Sequence, residues 1–150
     1  MPANNITQLC QKAAKALIDS HDLSFITDET TQIVTGIASE DISLPMVICQ
    51  CMQADAAVPY EGNWSAHLRI EVRSNSDDTT QDEHHENAGD VFAIFMGGVQ
   101  ATRVALSNAT LGFTAQQVLP VRQGWELNDN SWVSYIELTV ECAGTYFSVA

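Results

Sequence analysis

Trp64-Ser65-Ala66-His67-Leu68-Arg69-Ile70-Glu71-Val72-Arg73 alternates strictly between two kinds of side chain. Trp64, Ala66, Leu68, Ile70 and Val72 fall on one side; Ser65, His67, Arg69, Glu71 and Arg73 fall on the other. Successive side chains of a strand point to opposite faces, so this stretch predicts a strand with one face in the core and one face wet or at an interface. The stretch from Trp132 to Cys142 repeats the pattern, with Ile136, Leu138, Val140 and Cys142 inward and Glu137, Thr139 and Glu141 outward. Two such strands need a layer over their apolar faces.

Helical periodicity supplies that layer. From Asn5 to Asp19, Ile6, Leu9, Cys10, Ala13, Ala16 and Leu17 recur at spacings of three and four, with Asn5 placed as an N-cap. A second helix opens at Thr80, which with Glu83 has capping-box spacing. Its stripe is His84, Ala88, Val91, Phe92 and Phe95, and Gly97-Gly98 is expected to close it with a positive φ at the C-cap. Val99 to Asn108 reads as a short further helix. Met46 to Met52, opened by Pro45, suits a strand buried on both faces, and Phe113 to Arg122, broken by Pro120, suits an edge strand or a bulge. Ser20 to Glu40 reads as a loop or short element, Ala54 to Asn63 as a connector and Gly124 to Asn130 as a polar loop. The order predicts an α+β domain: a mostly antiparallel sheet of at least four strands with helices packed on one face. The face bearing His67, Arg69, Glu71, Arg73, Glu137, Thr139 and Glu141 is then left without helices.

Length and charge narrow the function. With 150 residues and 45% hydrophobic side chains, the chain is expected to form one globular domain, 1–150, whose core needs no disulfide or metal staple. Against 19 acidic residues it has only Lys12, Lys15, Arg69, Arg73, Arg103 and Arg122, a formal charge of −13. Such a chain does not hold nucleic acid by counterion release, and an anionic membrane repels it. The longest uncharged apolar run, Val91 to Met96, is far short of the roughly 20 residues a membrane helix needs. Met-Pro-Ala-Asn-Asn has neither a basic nor an apolar signal-peptide region, so no secretory signal is expected. Cys10, Cys49, Cys51 and Cys142 lack metal or disulfide spacing and are expected to be reduced and buried.

Chemistry-bearing patterns are sparse. Asp82-Glu83-His84-His85-Glu86 and Asp90 concentrate carboxylates and histidines, the basis of an alternative reading as a small metal-binding protein or enzyme. The pairs sharing a helical face, Asp82 with Glu86 and Glu86 with Asp90, are carboxylates only, while His84 falls on the apolar stripe. A solvated acidic helix start is the better expectation. No nucleophile elbow, phosphate loop or HExxH motif occurs, and Glu137 and Glu141 stand about 13 Å apart along their strand, too far for an acid and base pair. No catalytic, cofactor-binding or metal residue is therefore assigned.

The element pattern resembles the tail-terminator and tail-completion proteins of long-tailed bacteriophages. The likeness rests on the N-terminal helix, the strand opened by Pro45, the alternating strand Trp64 to Arg73, the helix after Ser76-Asp77-Asp78, Leu111-Gly112-Phe113, and the closing strand Trp132-Val133-Ser134-Tyr135-Ile136-Glu137-Leu138. No catalytic signature travels with it. The resemblance implies a homo-oligomeric, hexameric ring in the tail-neck region of a virion, assembled in the host cytoplasm. Such a ring caps the tail-tube protein, ends its polymerisation and meets a neck or connector protein; a head-tail connector or neck adaptor is the neighbouring alternative. Six copies at −13 each would repel phosphate, so DNA would slide past such a ring without being gripped. Arg69 and Arg73, two of six basic residues on one strand face, with Glu137 and Glu141, form the expected subunit interface, and Trp125 is a candidate interface anchor.

Overall fold

The computed structural model describes residues 5–36, 44–58 and 63–144. In chain order they form α1 (Ile6–Asp19), α2 (Glu29–Gln32), β1 (Ile33–Thr35), β2 (Met46–Val58), β3 (Asn63–Asn75), α3 (Gln81–Ile94), α4 (Val99–Leu106), β4 (Phe113–Asn128) and β5 (Ser131–Gly144). The sheet order is β1-β2-β3-β5-β4, antiparallel throughout except for the short parallel pairing of β1 with β2. This is an α+β architecture.

Alternation in β3 and β5 sets the layers. Ala66, Leu68, Ile70 and Val72 pair with Val140, Leu138, Ile136 and Ser134, and all eight are buried. Onto this face pack Ile6, Leu9, Cys10, Ala13, Ala14, Leu17 and Ile18 of α1 and Ala88, Val91 and Phe92 of α3, joined by Phe95, Leu106 and Phe113. α1 starts as its sequence predicts, since the Asn5 side chain accepts from Gln8 N at 2.9 Å and the Gln8 side chain accepts from Asn5 N at 3.1 Å. Two of the helix's orphan N–H donors are thereby engaged. The four thiols are free and buried, and burial pushes those of Cys49 and Cys142 up to about 12, so they stay protonated at neutral pH.

Several boundaries depart from the sequence expectation. β2 and β3 extend through most of the expected connector, to Val58 and from Asn63, with Pro59 and Gly62 lying outside the described residues. Gly124 to Asn128 is strand and not loop: it pairs with Ser131 to Tyr135 around a two-residue turn in which Asp129 has φ 54°. Its polar residues belong to the exposed half of an edge strand, where sequence polarity does not distinguish strand from loop. Gly97-Gly98 does not cap α3 in a left-handed conformation. Phe95 ends that helix at φ −95°, and the positive φ, 100°, falls at Gly98, where the chain turns into α4. Ser20 to Glu40, ambiguous in sequence, contributes α2 and β1 among its described residues. The edge position expected from Pro120 is found, with β-bulges at Ala115/Gln117 and Pro120/Arg122.

Candidate functional site

Two polar arrangements stand on opposite sides of the sheet. On the face without helices, the odd-numbered residues of β3 and β5 build a charge ladder. Glu71, only 8% exposed, accepts from Arg69 Nε at 2.9 Å through one oxygen. Its other oxygen accepts from Arg73 Nη2 at 2.9 Å and Arg73 Nε at 3.2 Å. Arg69 Nη1 reaches across to Glu137 at 3.0 Å, and Arg122 Nε meets the second Glu137 oxygen at 3.2 Å. The Arg69 guanidinium also lies 4.0 Å over the Tyr135 ring. Three of the chain's six basic residues thus gather around two carboxylates, a locally positive island in a strongly acidic protein. Beside it Met52, Gln53, His67, Arg69, Val121 and Glu137 line an open groove of about 310 Å³.

Arg69, Arg73 and Glu137, singled out from sequence, are brought together by the register Arg69↔Glu137, and their carboxylate partners belong to the same chain. Glu141 shares the face but pairs in register with Ser65 and Gln117, two turns of the pleat away. Trp125 is on the other side: its register partner is Ser134, on the helix-covered face. Sequence reasoning missed the central role of Glu71 and the contribution of Arg122, whose strand register is shifted by a bulge. Glu71→Ala would leave Arg69 and Arg73 facing each other half-buried. A loss of roughly 1–3 kcal/mol is expected from the urea midpoint, the range for leaving buried polar groups without their partner. A loss below 0.5 kcal/mol would mean the ladder behaves as a set of independent surface pairs.

On the helix side, His84 is fully buried. Its Nδ1 lies 2.9 Å from Ser74 Oγ and its Nε2 2.8 Å from Ser134 Oγ, so one short helix residue ties α3 to both central strands. Burial, with a smaller contribution from His85, lowers its pKa to about 4. Trp132 stacks at 6.4 Å from His84 and donates from Nε1 to Thr79 O at 2.9 Å, while Trp125 meets His85 edge-on at 5.3 Å. A groove of about 200 Å³ between α3 and β4 is lined by His85, Ala88, Phe92, Gln123, Trp125 and Ser134. Ser134 and His84 resemble a nucleophile and base, but the third partner is the Ser74 hydroxyl and not a carboxylate, and a histidine held this weakly basic is a poor proton acceptor. A structural tie is what this geometry supports. It also removes His84 from the acidic cluster: both ring nitrogens are engaged, while Asp82, Glu83, Glu86 and Asp90 stand exposed in water. Among the described residues no group of three metal-ligating side chains converges, and no helix is long and apolar enough to cross a membrane.

Fold and surface together define a small α+β protein whose sheet carries helices on one face and a charge ladder on the other. Among solved structures, the chain is similar in fold to a chain in the virion of a native gene transfer agent (GTA) particle. The TM-score is 0.57 at 10% identity, covering 94% of this chain and 100% of that one. No family model and no curated protein matches the sequence.

Proposed function

We propose that this chain is a structural protein of a virion. The observation that carries the proposal is the likeness of fold to a chain of the GTA virion, over 94% of this chain and 100% of that one. The site chemistry agrees. Its charged side chains are engaged with one another in a partly buried ladder on the face without helices, an arrangement suited to contact with protein and poorly suited to acid–base or nucleophilic work. The element pattern that resembles tail terminators gives the finer reading: a ring, six-fold by that resemblance, that caps the tail tube, stops its growth and meets the neck. The helix-free face with Arg69, Arg73, Glu137 and Glu141 is the proposed subunit interface, and Trp125 a separate contact from the helix side. A head-tail connector or neck adaptor uses the same kind of subunit and is the second reading.

Mixing the purified chain with polymerising tail-tube protein tests the finer reading. Rings in negative-stain images, and tubes that stop growing with the chain at one end, are the expected result. A chain that neither forms rings nor changes tube length at tens of micromolar would exclude the terminator role. Rings that bind a neck component and ignore the tube would select the adaptor. Arg69→Glu with Arg73→Glu is a poor probe here, because it sets two more carboxylates beside Glu71 and Glu137 and would lower folding stability along with assembly.

A further inference from the structure

We propose that two copies of this chain pair edge to edge through residues 122–128 of β4, antiparallel about a two-fold axis at Gly124, forming one continuous sheet.

β4 is an edge strand whose first part is protected. Asn108 pairs with Phe113, Ala115 N donates to Ser107 Oγ at 3.0 Å, and beyond these come two bulges and Pro120. From Arg122 to Asn128 the register with β5 is regular, and nothing among the described residues pairs with the outer side. The two-residue turn closes on Asn128↔Ser131, the hydrogen-bonded pair of such a hairpin. Alternation along the ladder then turns the backbone N–H and C=O of Gln123, Trp125 and Leu127 outward. Trp125 is 49% exposed and Leu127 54%, large apolar side chains on a bare edge.

The sequence of this edge identifies the occupant. Arg122-Gln123-Gly124-Trp125-Glu126 reads as its own complement when inverted about Gly124. In that register Arg122 of each copy stands opposite Glu126 of the other, and both side chains lie on the helix-free face, since their β5 partners are Glu137 and Val133. The Arg122 side chain is 66% exposed and meets Glu137 through Nε at 3.2 Å, an exposure that lets the guanidinium fork reach a second carboxylate. Gln123 and Trp125 face each other on the helix side with their outward N–H and C=O groups in bonding phase, and the two Trp125 rings sit diagonally across the axis within side-chain reach. Inversion about Trp125 would also pair the backbones, but it sets Arg122 opposite Asn128 and Glu126 opposite Gly124, with no charge pair. At the axis a side chain is excluded: a Cβ on Gly124 would come within 2.6 Å of the Tyr135 hydroxyl, so the strands meet over a bare backbone.

An isologous contact closes after two copies, so this pairing is additional to the head-to-tail contact a ring requires. Sedimentation of wild type, Arg122→Glu, Glu126→Arg and the double exchange tests it. The wild type is expected to dimerise at micromolar concentration. Each single reversal should weaken the dimer at least tenfold by setting like charges opposite at two places, and the double exchange should restore it. Both side chains are exposed, and matching circular dichroism spectra would show that folding is retained. A monomeric wild type, single variants that associate like wild type, or a double exchange no better than the singles would each overturn the pairing. A wild type that forms rings indifferent to these reversals would overturn it while leaving the ring reading in place.

Discussion

Leu138→Ala is expected to lower the free energy of unfolding by about 2–5 kcal/mol, measured as a shift in denaturant midpoint at unchanged slope. Leu138 is 1% exposed in the middle of β5, with Leu68, also 1% exposed, as its cross-strand partner. Truncation removes apolar area from contact and leaves a cavity that rigid neighbours on two central strands cannot fill by collapse. Val72→Ala, at the same depth one strand away, removes less volume and should cost less. A Leu138→Ala midpoint equal to wild type would mean that α1 and α3 do not pack on this face.

Acidification gives the second large effect. His84 has a folded-state pKa of about 4 against an ordinary value near 6.5, because its buried position between Ser74 and Ser134 disfavours the charged ring. Above pH 6.5 both folded and unfolded chains hold the ring neutral and its contribution is constant. As the pH falls from 6.5 to 4 the unfolded chain takes up a proton that the folded chain refuses, so stability is lost across that window and levels off below it. At 1.36 kcal/mol per unit the full loss is about 3 kcal/mol. Unfolding free energies of wild type and His84→Gln measured from pH 7 to pH 4.5 should converge as pH falls, because the variant lacks this proton. Parallel pH curves would show that the His84 ring charges freely in the folded chain.

How far the sequence carried depended on what each residue's neighbours had to do. Trp64 to Arg73 and Trp132 to Cys142 announce themselves because one face of each strand is buried, and burial imposes period two. α1 was legible to its cap, since Asn5 and Gln8 act within four residues of sequence. The second half of β4 was not legible: exposed on both faces, Gln123 to Asn128 carries no alternation, and only hydrogen bonding to β5 makes it a strand. That also moved Trp125 from a loop to the edge of the sheet. His84 was visible as a member of a helical stripe, but its partners lie 10 and 50 residues away, and no local pattern announces them.

By itself, then, the sequence determined the α+β class, the inward faces of the two central strands, the start of the first helix, and a charge balance unsuited to gripping nucleic acid. These follow from local periodicity, capping and composition, which act over a few residues or over the whole chain at once. Only the tertiary structure decided that Glu71 is the shared carboxylate of Arg69 and Arg73, that Glu137 bridges Arg69 and Arg122, and that Trp125 and the charge ladder occupy opposite faces. Each depends on strand register, and in β4 the register passes two bulges. A bulge adds one residue and turns every later side chain to the other face until a second bulge restores the phase, so Val118, between the bulges, shares the helix-covered face with Phe113, Ala115 and Trp125, and only pairing with β5 shows where each inversion falls.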